Sequence, residues 1–413
     1  MCKDTAYISF PALWSDVPHI VISGSKSQTN RYVTLRAVVG SSVCIKNSSD
    51  SDDAASMRSV IDGAGRADVI DIGHAGTAMR FGTAYLASRE GVDVLLTGSS
   101  RMCERPISEL VDALRQLGAS IEYEGKEGYP PLRIKGRKIN GGRCSMSGEV
   151  SSQYISAIML ASPSFEKGVE INLTGRVVSV PYIKMTLGVL EDFGIKGQFT
   201  GSSIVIPPSI VSVGDELVVE SDWSSASYYY SMVATSGRQV RLSSFRRCST
   251  QGDSRIVDIY RAFGVDTEWG EGEIKLSLVK GFERPRYVDI DMEDTPDVAQ
   301  SVAVTMAALG IRGRLTGLST LRVKETDRIA ALEAELSKFG VKCSSTIDTL
   351  SIEDFGERKK DILLNTYQDH RMAMAFVPMA LCGGFYVENP AVVSKSYTAF
   401  WEDMRRLGLE IKK

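Results

Sequence analysis

The feature that most constrains the fold of this chain is a helix ending that recurs along its 413 residues. In each copy, a stretch with helical periodicity ends in a bulky apolar residue, then Gly, then a small or aliphatic residue. Glycine at this position adopts the left-handed conformation that ends a helix at low energetic cost. The clear copies, after a weaker first copy at Ala64-Gly65, are Leu117-Gly118-Ala119, Phe193-Gly194-Ile195, Phe263-Gly264-Val265, Phe339-Gly340-Val341 and Leu407-Gly408-Leu409.

The spacing of these glycines predicts six repeated units. Successive glycines are 53, 76, 70, 76 and 68 residues apart, and 413 residues divided by six copies gives about 69. Six units of this size suit two pseudo-symmetric domains of three units each, in an α/β fold. The alternative is an ordinary α/β protein whose helices happen to end in glycine.

Each unit is predicted to hold two helices with β-rich runs between them. Several helices carry start signals, such as Pro106, Pro181 and Pro296 near their first positions. The predicted helices are 28–39, 52–62, 77–88, 106–117, 152–161, 181–193, 224–235, 253–263, 296–309, 326–339, 370–382 and 397–407. The β-rich runs are 92–96, 169–173, 217–219, 239–242, 287–290 and 385–387.

Bulk composition excludes several classes of protein. The chain has 48 basic and 51 acidic residues, a formal net charge of −3, which disfavours a nucleic-acid-binding protein. Seven scattered cysteines without CxxC spacing, with only three histidines, disfavour a structural zinc site and fit a reducing compartment. No signal peptide and no run of 18 apolar residues is seen, so we expect no membrane partner and a cytoplasmic location.

Basic residues stand at or near the predicted starts of several helices. Helix N-termini bind phosphate and carboxylate groups through free N–H groups and the positive end of the helix dipole. A repeat fold that brought these ends together could neutralise two phosphates and a carboxylate, and unpaired cations would repel one another until such anions arrive. The seven residues are Lys26, Arg31, Arg105, Lys324, Arg328, Arg371 and Lys395.

Two acidic residues near these cations could carry proton chemistry. Asp297 falls in the first turn of a predicted helix, where it either stabilises the helix dipole or acts as a general base on a hydroxyl. Glu325 lies between Lys324 and Arg328, and it either passes a proton or belongs to an ordinary solvated turn. Both interpretations stay open from these residues alone.

Small and polar residues open the remaining helices. Gly76, in Gly73-His74-Ala75-Gly76, would let a ligand approach the backbone closely, although such turns are common. The segments Ser151-Ser152-Gln153 and Ser179-Val180-Pro181-Tyr182 are each explained as well by helix capping as by binding.

Eight segments in this order resemble the 5-enolpyruvylshikimate-3-phosphate synthase family, and the likeness spans residues 24 to 398. The resemblance implies a two-domain inverted α/β barrel of six units, with domains 24–219 and 1–23 plus 220–413 and an active site in the cleft between them. The repeat count agrees with this fold but does not reveal how the chain crosses between the domains. The segments are GSKSQTNR, GHAGTAMR, RMCERP, SSQ, SVPY, DTPD, RVKETDR and DHRMAM.

The resemblance also implies an activity and a set of residues. The family joins phosphoenolpyruvate to shikimate 3-phosphate through a tetrahedral intermediate and releases phosphate, with no metal or cofactor. Asp297 would accept the proton of the 5-hydroxyl, and Glu325, helped by Lys26, would protonate the methylene carbon. Shikimate 3-phosphate would contact Lys26, Ser27, Arg31, Ser151, Ser152, Gln153, Ser179, Tyr182, Asp297, Thr320 and Lys324. Phosphoenolpyruvate would contact Lys26, Gly76, Arg105, Gln153, Arg328, Arg371 and Lys395.

The chain departs from the family pattern at five positions. They affect affinity rather than the charged groups of the chemistry: Ser23 and Phe81 replace Pro, His74 replaces Asn, Cys103 replaces Lys, and Thr320 replaces an Asn that commonly helps to bind shikimate 3-phosphate.

Two other functions are compatible with parts of the sequence. The sister enzyme that transfers enolpyruvyl to UDP-N-acetylglucosamine uses a loop cysteine, but Cys103 stands closer to Arg105 than that cysteine usually lies. A non-enzymatic anion-binding protein would not need Asp297 and Glu325 in addition to the cations. We expect a monomeric enzyme with small-molecule substrates and no nucleic-acid partner.

Overall fold

The computed structural model describes residues 4–149, 151–178, 180–209 and 211–412. The chain divides into two compact units. One comprises Met1–Ser23 and Glu220–Lys413, called here the split unit; the other comprises Gly24–Val219, called the inserted unit.

Helices and strands alternate along the described residues. The α-helices are α1 Lys26–Val39, α2 Asp52–Gly63, α3 Gly76–Ala87, α4 Ser100–Cys103, α5 Ser108–Gln116, α6 Ser152–Ala161, α7 Val180–Asp192, α8 Trp223–Ser236, α9 Ile256–Arg261, α10 Ala299–Leu309, α11 Arg328–Lys338, α12 His370–Ala375 and α13 Phe400–Arg406. Short 3₁₀ helices span Ser162–Ser164, Gly252–Arg255, Pro296–Val298, Ser319–Val323, Val377–Cys382 and Pro390–Lys395.

The strands are short, most of them two to six residues long. They are β1 Thr5–Ser9, β2 His19–Ile20, β3 Cys44–Lys46, β4 Val69–Asp71, β5 Asp93–Thr97, β6 Ser120–Tyr123, β7 Leu132–Lys135, β8 Gly142–Ser147, β9 Val169–Thr174, β10 Gln198–Phe199, β11 Ser203–Ile206, β12 Glu216–Val218, β13 Val240–Ser243, β14 Val265–Trp269, β15 Glu273–Leu278, β16 Tyr287–Asp291, β17 Arg312–Thr316, β18 Val341–Ser345, β19 Leu350–Phe355, β20 Leu363–Leu364, β21 Phe385–Glu388 and β22 Glu410–Lys412.

Within the described ranges, five four-stranded sheets share one topology. In the inserted unit, β4 and β5 are parallel, β7 runs antiparallel to β5, and β6 runs antiparallel to β7; the sheet β8-β9-β11-β10 repeats this pattern. In the split unit, β2-β13-β15-β14, β16-β17-β19-β18 and β20-β21-β1-β22 repeat it again. A sixth, two-stranded sheet pairs β3 with β12 in parallel. The α/β fold of repeated units is therefore confirmed.

The N-terminal strands explain why residues 1–23 belong with the C-terminal half. Strand β1 pairs with both β21 and β22, and β2 pairs with β13. Two sheets of the split unit are completed by strands that precede the inserted unit in sequence. Pairing over such a distance carries no local signal, so the repeat spacing could not reveal it.

The glycines that were predicted to end helices do so with left-handed backbone. Their φ angles are 72° at Gly65, 105° at Gly118, 75° at Gly194, 80° at Gly264, 80° at Gly340 and 90° at Gly408. All twelve predicted helices are present, although α9, α10 and α12 are short and adjoin 3₁₀ segments. The predictions missed α4 and the hairpin strands that end each unit.

Each unit has its own hydrophobic core, and helices at the centre of a unit are buried along their whole length. All twelve residues of α3 are buried in the inserted unit, and the first nine residues of α10 are buried in the split unit. Such helices present only their ends to ligands. Their first turns are therefore the natural place for a site.

Several other features are defined for the described residues only. No helix there is long and apolar enough to cross a membrane. No three His, Cys, Asp or Glu side chains are grouped there as a metal ion would require. The six cysteines in the described ranges are free thiols.

Candidate active site

Arg328 is the centre of the candidate site in the split unit. It is the first residue of α11, and Asp327 caps that helix by accepting a hydrogen bond from the Ala330 N–H at 3.0 Å. The guanidinium is only 2% exposed. A charge this deeply buried must be neutralised within the protein.

Three carboxylates neutralise Arg328. Asp369 accepts from Nε at 2.7 Å and from Nη2 at 3.3 Å, a bidentate pair. Glu325 accepts from Nη2 at 2.9 Å, and Asp297 accepts from Nη1 at 3.2 Å. Bidentate geometry fixes the plane of the guanidinium. Arg328 thus places both predicted acid–base residues in fixed positions relative to each other.

Asp297 lies among three cations. It belongs to the 3₁₀ helix before α10, and its carboxylate oxygens lie 3.4 Å from Lys324 Nζ, 3.2 Å from Arg328 Nη1 and 3.2 Å from Arg371 Nη2. Its side chain is 18% exposed. A carboxylate that is held by cations yet reaches solvent can meet a ligand hydroxyl.

Glu325 lies between two cations on the other side of Arg328. One oxygen accepts from Arg328, and the other accepts from Lys395 Nζ at 2.9 Å. Lys395 ends the 3₁₀ helix Pro390–Lys395 and stands five residues before α13, so it is near a helix start without forming it. Glu325 is 18% exposed, as Asp297 is.

The pKa values of the buried groups follow from this pairing. Burial lowers the pKa of Arg328, but the charges of Asp369, Glu325 and Asp297 outweigh burial and raise it. Burial opposes the charge of Arg371 too, yet Asp297 and its other neighbours hold its pKa well above the ordinary value. Both arginines therefore stay cationic.

Asp253 is a buried acid beside this cluster. Ser224 donates a hydrogen bond to Asp253, and Arg371 Nη2 donates to Ser224 Oγ at 3.3 Å. Burial, followed by the charge of Asp297, raises the pKa of Asp253 to about 7, while Arg371 and Ser224 act in the opposite direction. One acid of this cluster therefore titrates near neutral pH.

The prediction that the cations repel one another is wrong for the split unit. Lys324 and Arg371 each face Asp297, Lys395 faces Glu325, and Arg328 faces three carboxylates. The prediction failed because it counted the cations without the carboxylates, of which Asp369 and Asp253 were not assigned to the site at all.

In the inserted unit, α1 begins at the predicted Lys26. Ser25 caps the helix by accepting from the Gln28 N–H at 3.4 Å. Lys26 Nζ lies 3.1 Å from Oδ2 of Asp53, which is in the first turn of α2 and was not predicted. The Lys26 side chain is 15% exposed, and Lys26 precedes Ser27 in the first turn of α1.

Arg31 braces three helices of the inserted unit. Its nitrogens donate to Thr186 Oγ1 at 2.8 Å, to the Ser27 carbonyl at 2.9 Å and to Ser156 Oγ at 3.1 Å. Burial lowers its pKa to about 10. Its guanidinium carbon lies 5.9 Å from the centre of the Tyr182 ring. Any ligand must use the N–H groups beyond these three.

Gly76 and Arg105 form a close pair. Gly76 is the first residue of α3, and Arg105 lies in the segment between α4 and α5. A Cβ added at Gly76 would lie 2.8 Å from Arg105 Nη1, closer than real side chains approach. Glycine at this position lets the guanidinium lie over the start of the helix. The sequence placed both residues in the phosphoenolpyruvate site without predicting that they touch.

The start of α6 lies beside the start of α3. Gln153 Nε2 donates to Thr77 Oγ1 at 3.3 Å, and Ser151 Oγ accepts from the Gln153 N–H at 3.4 Å. Ser151 therefore caps the helix, and the neighbouring Ser152 is buried. The predicted residues of this unit gather at the N-termini of α1, α3, α6 and α7.

Two further predicted residues are Ser179 and Thr320. Ser179 lies outside the described residues. Thr320 is in the 3₁₀ helix Ser319–Val323, and its buried hydroxyl has no hydrogen-bond partner within the described part of the chain. A hydroxyl in that condition is suited to a ligand.

A comparison with known families identifies the family of this chain. The model of the family described as EPSP synthase (3-phosphoshikimate 1-carboxyvinyltransferase) matches residues 61–404, well over half of the chain. The chain belongs to the EPSP synthase family. Members of this family are transferases, so the resemblance read from the eight segments is confirmed, and so is the enzyme class.

Individual relatives of the EPSP synthase family agree. The chain is similar to a 3-phosphoshikimate 1-carboxyvinyltransferase of Bacteroides fragilis, 43% identical over 95% of this chain and 96% of that one. It is also similar to the protein of that name from Shewanella pealeana, 35% identical over 94% of this chain and 96% of that one. The solved EPSP synthase from Acinetobacter baumannii has the same fold, with a TM-score of 0.76, 22% identity and coverage of 99% of this chain and 100% of that one.

Proposed function

We propose that this chain transfers the enolpyruvyl group of phosphoenolpyruvate to the 5-hydroxyl of shikimate 3-phosphate. The products are phosphate and 5-enolpyruvylshikimate 3-phosphate, on the shikimate pathway to chorismate and the aromatic amino acids. The observation that carries the proposal is the pairing of Asp297 and Glu325 on one arginine, Arg328. Two partly exposed carboxylates in fixed relation suit a reaction that removes one proton and adds another.

The addition step uses both carboxylates. Asp297 accepts the proton of the 5-hydroxyl, whose oxygen bonds to C2 of phosphoenolpyruvate, while Glu325, helped by Lys26, donates a proton to C3. A methyl group and a tetrahedral C2 result. In the elimination step, C3 returns a proton to Glu325, and the electrons of that C–H bond form the C2–C3 double bond as the bond from C2 to the phosphate oxygen breaks. Phosphate leaves with the proton that Asp297 accepted, so both carboxylates return to their starting states. No covalent bond to the protein forms.

The cations supply binding and electrostatic stabilisation. We assign Lys26, Gly76, Arg105, Gln153, Arg328, Arg371 and Lys395 to phosphoenolpyruvate. Two of these arginines, Arg328 and Arg371, are already ordered by carboxylates in the described structure. Donors that are fixed before the reaction stabilise developing charge without reorganising, each by about 3–4 kcal/mol at comparable sites.

Shikimate 3-phosphate is assigned mainly to the helix starts of the inserted unit. The unpartnered hydroxyl of Thr320 supports its place in this set. That the substrates bind in a cleft between two domains of three repeats each is part of this proposal. The assigned residues are Lys26, Ser27, Arg31, Ser151, Ser152, Gln153, Ser179, Tyr182, Asp297, Thr320 and Lys324.

We further propose that the enzyme works as a monomer in the cytoplasm. The six free thiols among the described residues are compatible with a reducing compartment. Sedimentation of the purified protein would check the oligomeric state, with a single species of about 45 kDa expected.

The assay for the proposed function is direct. Purified protein is mixed with phosphoenolpyruvate and either shikimate 3-phosphate or UDP-N-acetylglucosamine, and phosphate release is measured. We expect release with the first acceptor alone. Release with the nucleotide sugar alone would assign the chain to the sister activity, and release with neither would reject both.

Cys103 gives an independent check on the sister activity. Its thiol is half-buried and lies 3.7 Å from the Gly98 carbonyl oxygen. The proposed mechanism does not use a thiol, so Cys103→Ala is expected to keep its turnover number within about twofold of wild type. Loss of turnover in a folded variant would favour the sister reaction.

A further inference from the structure

Glu335 is a fully buried carboxylate in α11 that the proposed reaction does not use. It lies seven residues after Arg328, on the same helix, and is 0% exposed. Its Oε2 accepts from Lys338 Nζ at 2.5 Å and from the Asn365 N–H at 3.1 Å. Its Oε1 accepts from Asn365 Nδ2 at 3.3 Å and from the Tyr367 hydroxyl at 2.7 Å. Four hydrogen bonds to one buried carboxylate indicate that its charge has a specific structural role.

Three of the four donors belong to one loop of unusual backbone. Tyr367 and Gln368 are consecutive residues with φ of 55° and 56°. Residues with a Cβ adopt this left-handed conformation at a cost, and they keep it only where surrounding contacts enforce it. The Tyr367 hydroxyl and both Asn365 donors bond to Glu335, and the Thr366 N–H donates to Glu388 Oε2 at 3.3 Å. Glu335 therefore supplies three of the contacts that hold this loop.

The strained residues lead directly into the candidate site. Asp369 follows Gln368, pairs bidentately with Arg328 and caps α12 by accepting from the Arg371 N–H at 2.9 Å. A shift of the loop would therefore move Asp369 and, through it, both arginines. Helix α11 carries Arg328 at its start and Glu335 two turns later. The same helix therefore holds the Arg328 guanidinium directly and, through Glu335 and the loop, holds Asp369, the carboxylate that pairs with it.

We propose that Glu335 is a positioning residue for the phosphoenolpyruvate site. It holds loop 365–368 in its left-handed conformation and thereby sets Asp369, Arg328 and Arg371. This rests on the proposed function, because the two arginines are assigned there to phosphoenolpyruvate. Glu335 itself touches no substrate.

The first test replaces the carboxylate by an amide of the same shape. In Glu335→Gln, one oxygen that accepts two hydrogen bonds becomes a donor, so the loop loses part of its support. Loss of hydrogen bonds to a charged group predicts that KM for phosphoenolpyruvate rises about tenfold, while KM for shikimate 3-phosphate changes less than about twofold. The control is Glu333→Gln on the same helix, where Glu333 accepts from Ser345 Oγ at 2.6 Å. Equal shifts of both KM values, or none, would overturn the proposal.

A milder pair of variants covers the case in which Glu335→Gln does not fold. Tyr367→Phe removes a single hydroxyl from a side chain that is 38% exposed. We expect KM for phosphoenolpyruvate to rise about threefold in Tyr367→Phe itself. Tyr386→Phe, in an exposed ring packed edge-on against Tyr7, is the control. An unchanged KM in Tyr367→Phe would overturn the proposal. Where Glu335→Gln folds, we expect no further rise when the two changes are combined, because the hydroxyl acts through that carboxylate, and multiplied effects would contradict the proposal.

Amide hydrogen exchange separates this proposal from the proposed function. In the absence of substrates, residues 365–371 are expected to exchange faster in Glu335→Gln than in wild type or Glu333→Gln. Inactive wild-type protein with this exchange pattern would reject the proposed function and leave the loop contact standing. Active wild-type protein whose variant exchanges faster but keeps its KM for phosphoenolpyruvate would reject the positioning role alone.

Discussion

At the scale of single residues, both predicted acid–base carboxylates contact more than one cation. Asp297 faces three cations and Glu325 faces two, and Arg328 is common to both. Apart from the shared Arg328, the two acids contact different cations. Their environments can therefore support different roles, one as proton acceptor and the other as proton donor. Substitutions that keep shape and remove charge test those roles most directly.

Glu325→Gln tests the proton donor. Its amide can still contact Arg328, so substrate affinity is expected to change little, whereas turnover is expected to fall by about a hundredfold or more because no proton reaches the methylene carbon. Steady-state kinetics with both substrates measures this. A turnover number near that of wild type would show that another group supplies the proton.

Gly76→Ala tests the close pair with Arg105. The added Cβ would lie 2.8 Å from Arg105 Nη1, so the guanidinium must move away from the start of α3. We expect KM for phosphoenolpyruvate to rise about tenfold and the stability to change by less than about 1 kcal/mol. Unchanged KM would mean that Arg105 does not bind this substrate. A Cβ added at Gly214 would meet no atom within 4 Å, so Gly214→Ala is the control for added bulk.

At the scale of elements, the candidate residues of each unit lie at helix starts and in the loops before them. Lys26 begins α1, Gly76 begins α3 and Arg328 begins α11, while Arg371 is the second residue of α12. Side-chain caps fix several of these ends. Ser25, Asp327 and Asp369 each accept a hydrogen bond from a first-turn N–H, which adds to helix stability.

Asp369 combines a cap with a buried ion pair, and two substitutions separate the contributions. Asp369→Ala removes both, and we expect the free energy of unfolding to fall by about 3–5 kcal/mol. Asp369→Asn keeps an acceptor for the Arg371 N–H and should be more stable than the alanine variant by about 1 kcal/mol. Urea denaturation gives both values. If neither variant loses stability, Arg328 does not depend on Asp369.

Sequence periodicity predicted the helices well and the hairpins poorly, for a physical reason. Helix ends carry a local signal, because glycine at Gly194 or Gly340 is favoured by its own positive φ. Strands such as β6 and β10 are two to four residues long and gain stability from pairing rather than from their own residues. Pattern alone cannot detect them.

In the candidate site too, residues with a local sequence signal were predicted and residues without one were missed. Cations were found from their places near helix starts, and the family motifs then assigned their ligands. Their carboxylate partners were missed where the pair is distant in sequence: Asp369 is 41 residues from Arg328. Such pairs depend on the tertiary fold, which no local pattern encodes.

At the scale of the whole molecule, one core per unit and one sheet topology repeated five times account for the architecture. The split unit is closed by strands from the N-terminus, β1 and β2. In sequence, the inserted unit therefore lies between β2 and β13, two strands that pair in one sheet of the split unit.

Stability of the molecule should depend on pH through Asp253. Its pKa is raised from an ordinary 3.8 to about 7 in the folded state, so folding favours the protonated acid. The stability that this group contributes is fully present below pH 3.8 and is lost as pH rises to about 7. We expect the free energy of unfolding of wild type, relative to Asp253→Asn, to fall across this range and to level off above it. Urea denaturation at several pH values measures the difference, and a difference that stays constant or rises would contradict the shift.

In the proposed reaction, the bond between C2 and the phosphate oxygen of phosphoenolpyruvate breaks after addition to shikimate 3-phosphate. Phosphoenolpyruvate labelled with oxygen-18 in its bridging oxygen tests this order by mass spectrometry of the products. We expect the label to leave with phosphate, one phosphate for each 5-enolpyruvylshikimate 3-phosphate, and only when shikimate 3-phosphate is present. Label retained in pyruvate, or phosphate released without the acceptor, would contradict the proposed mechanism.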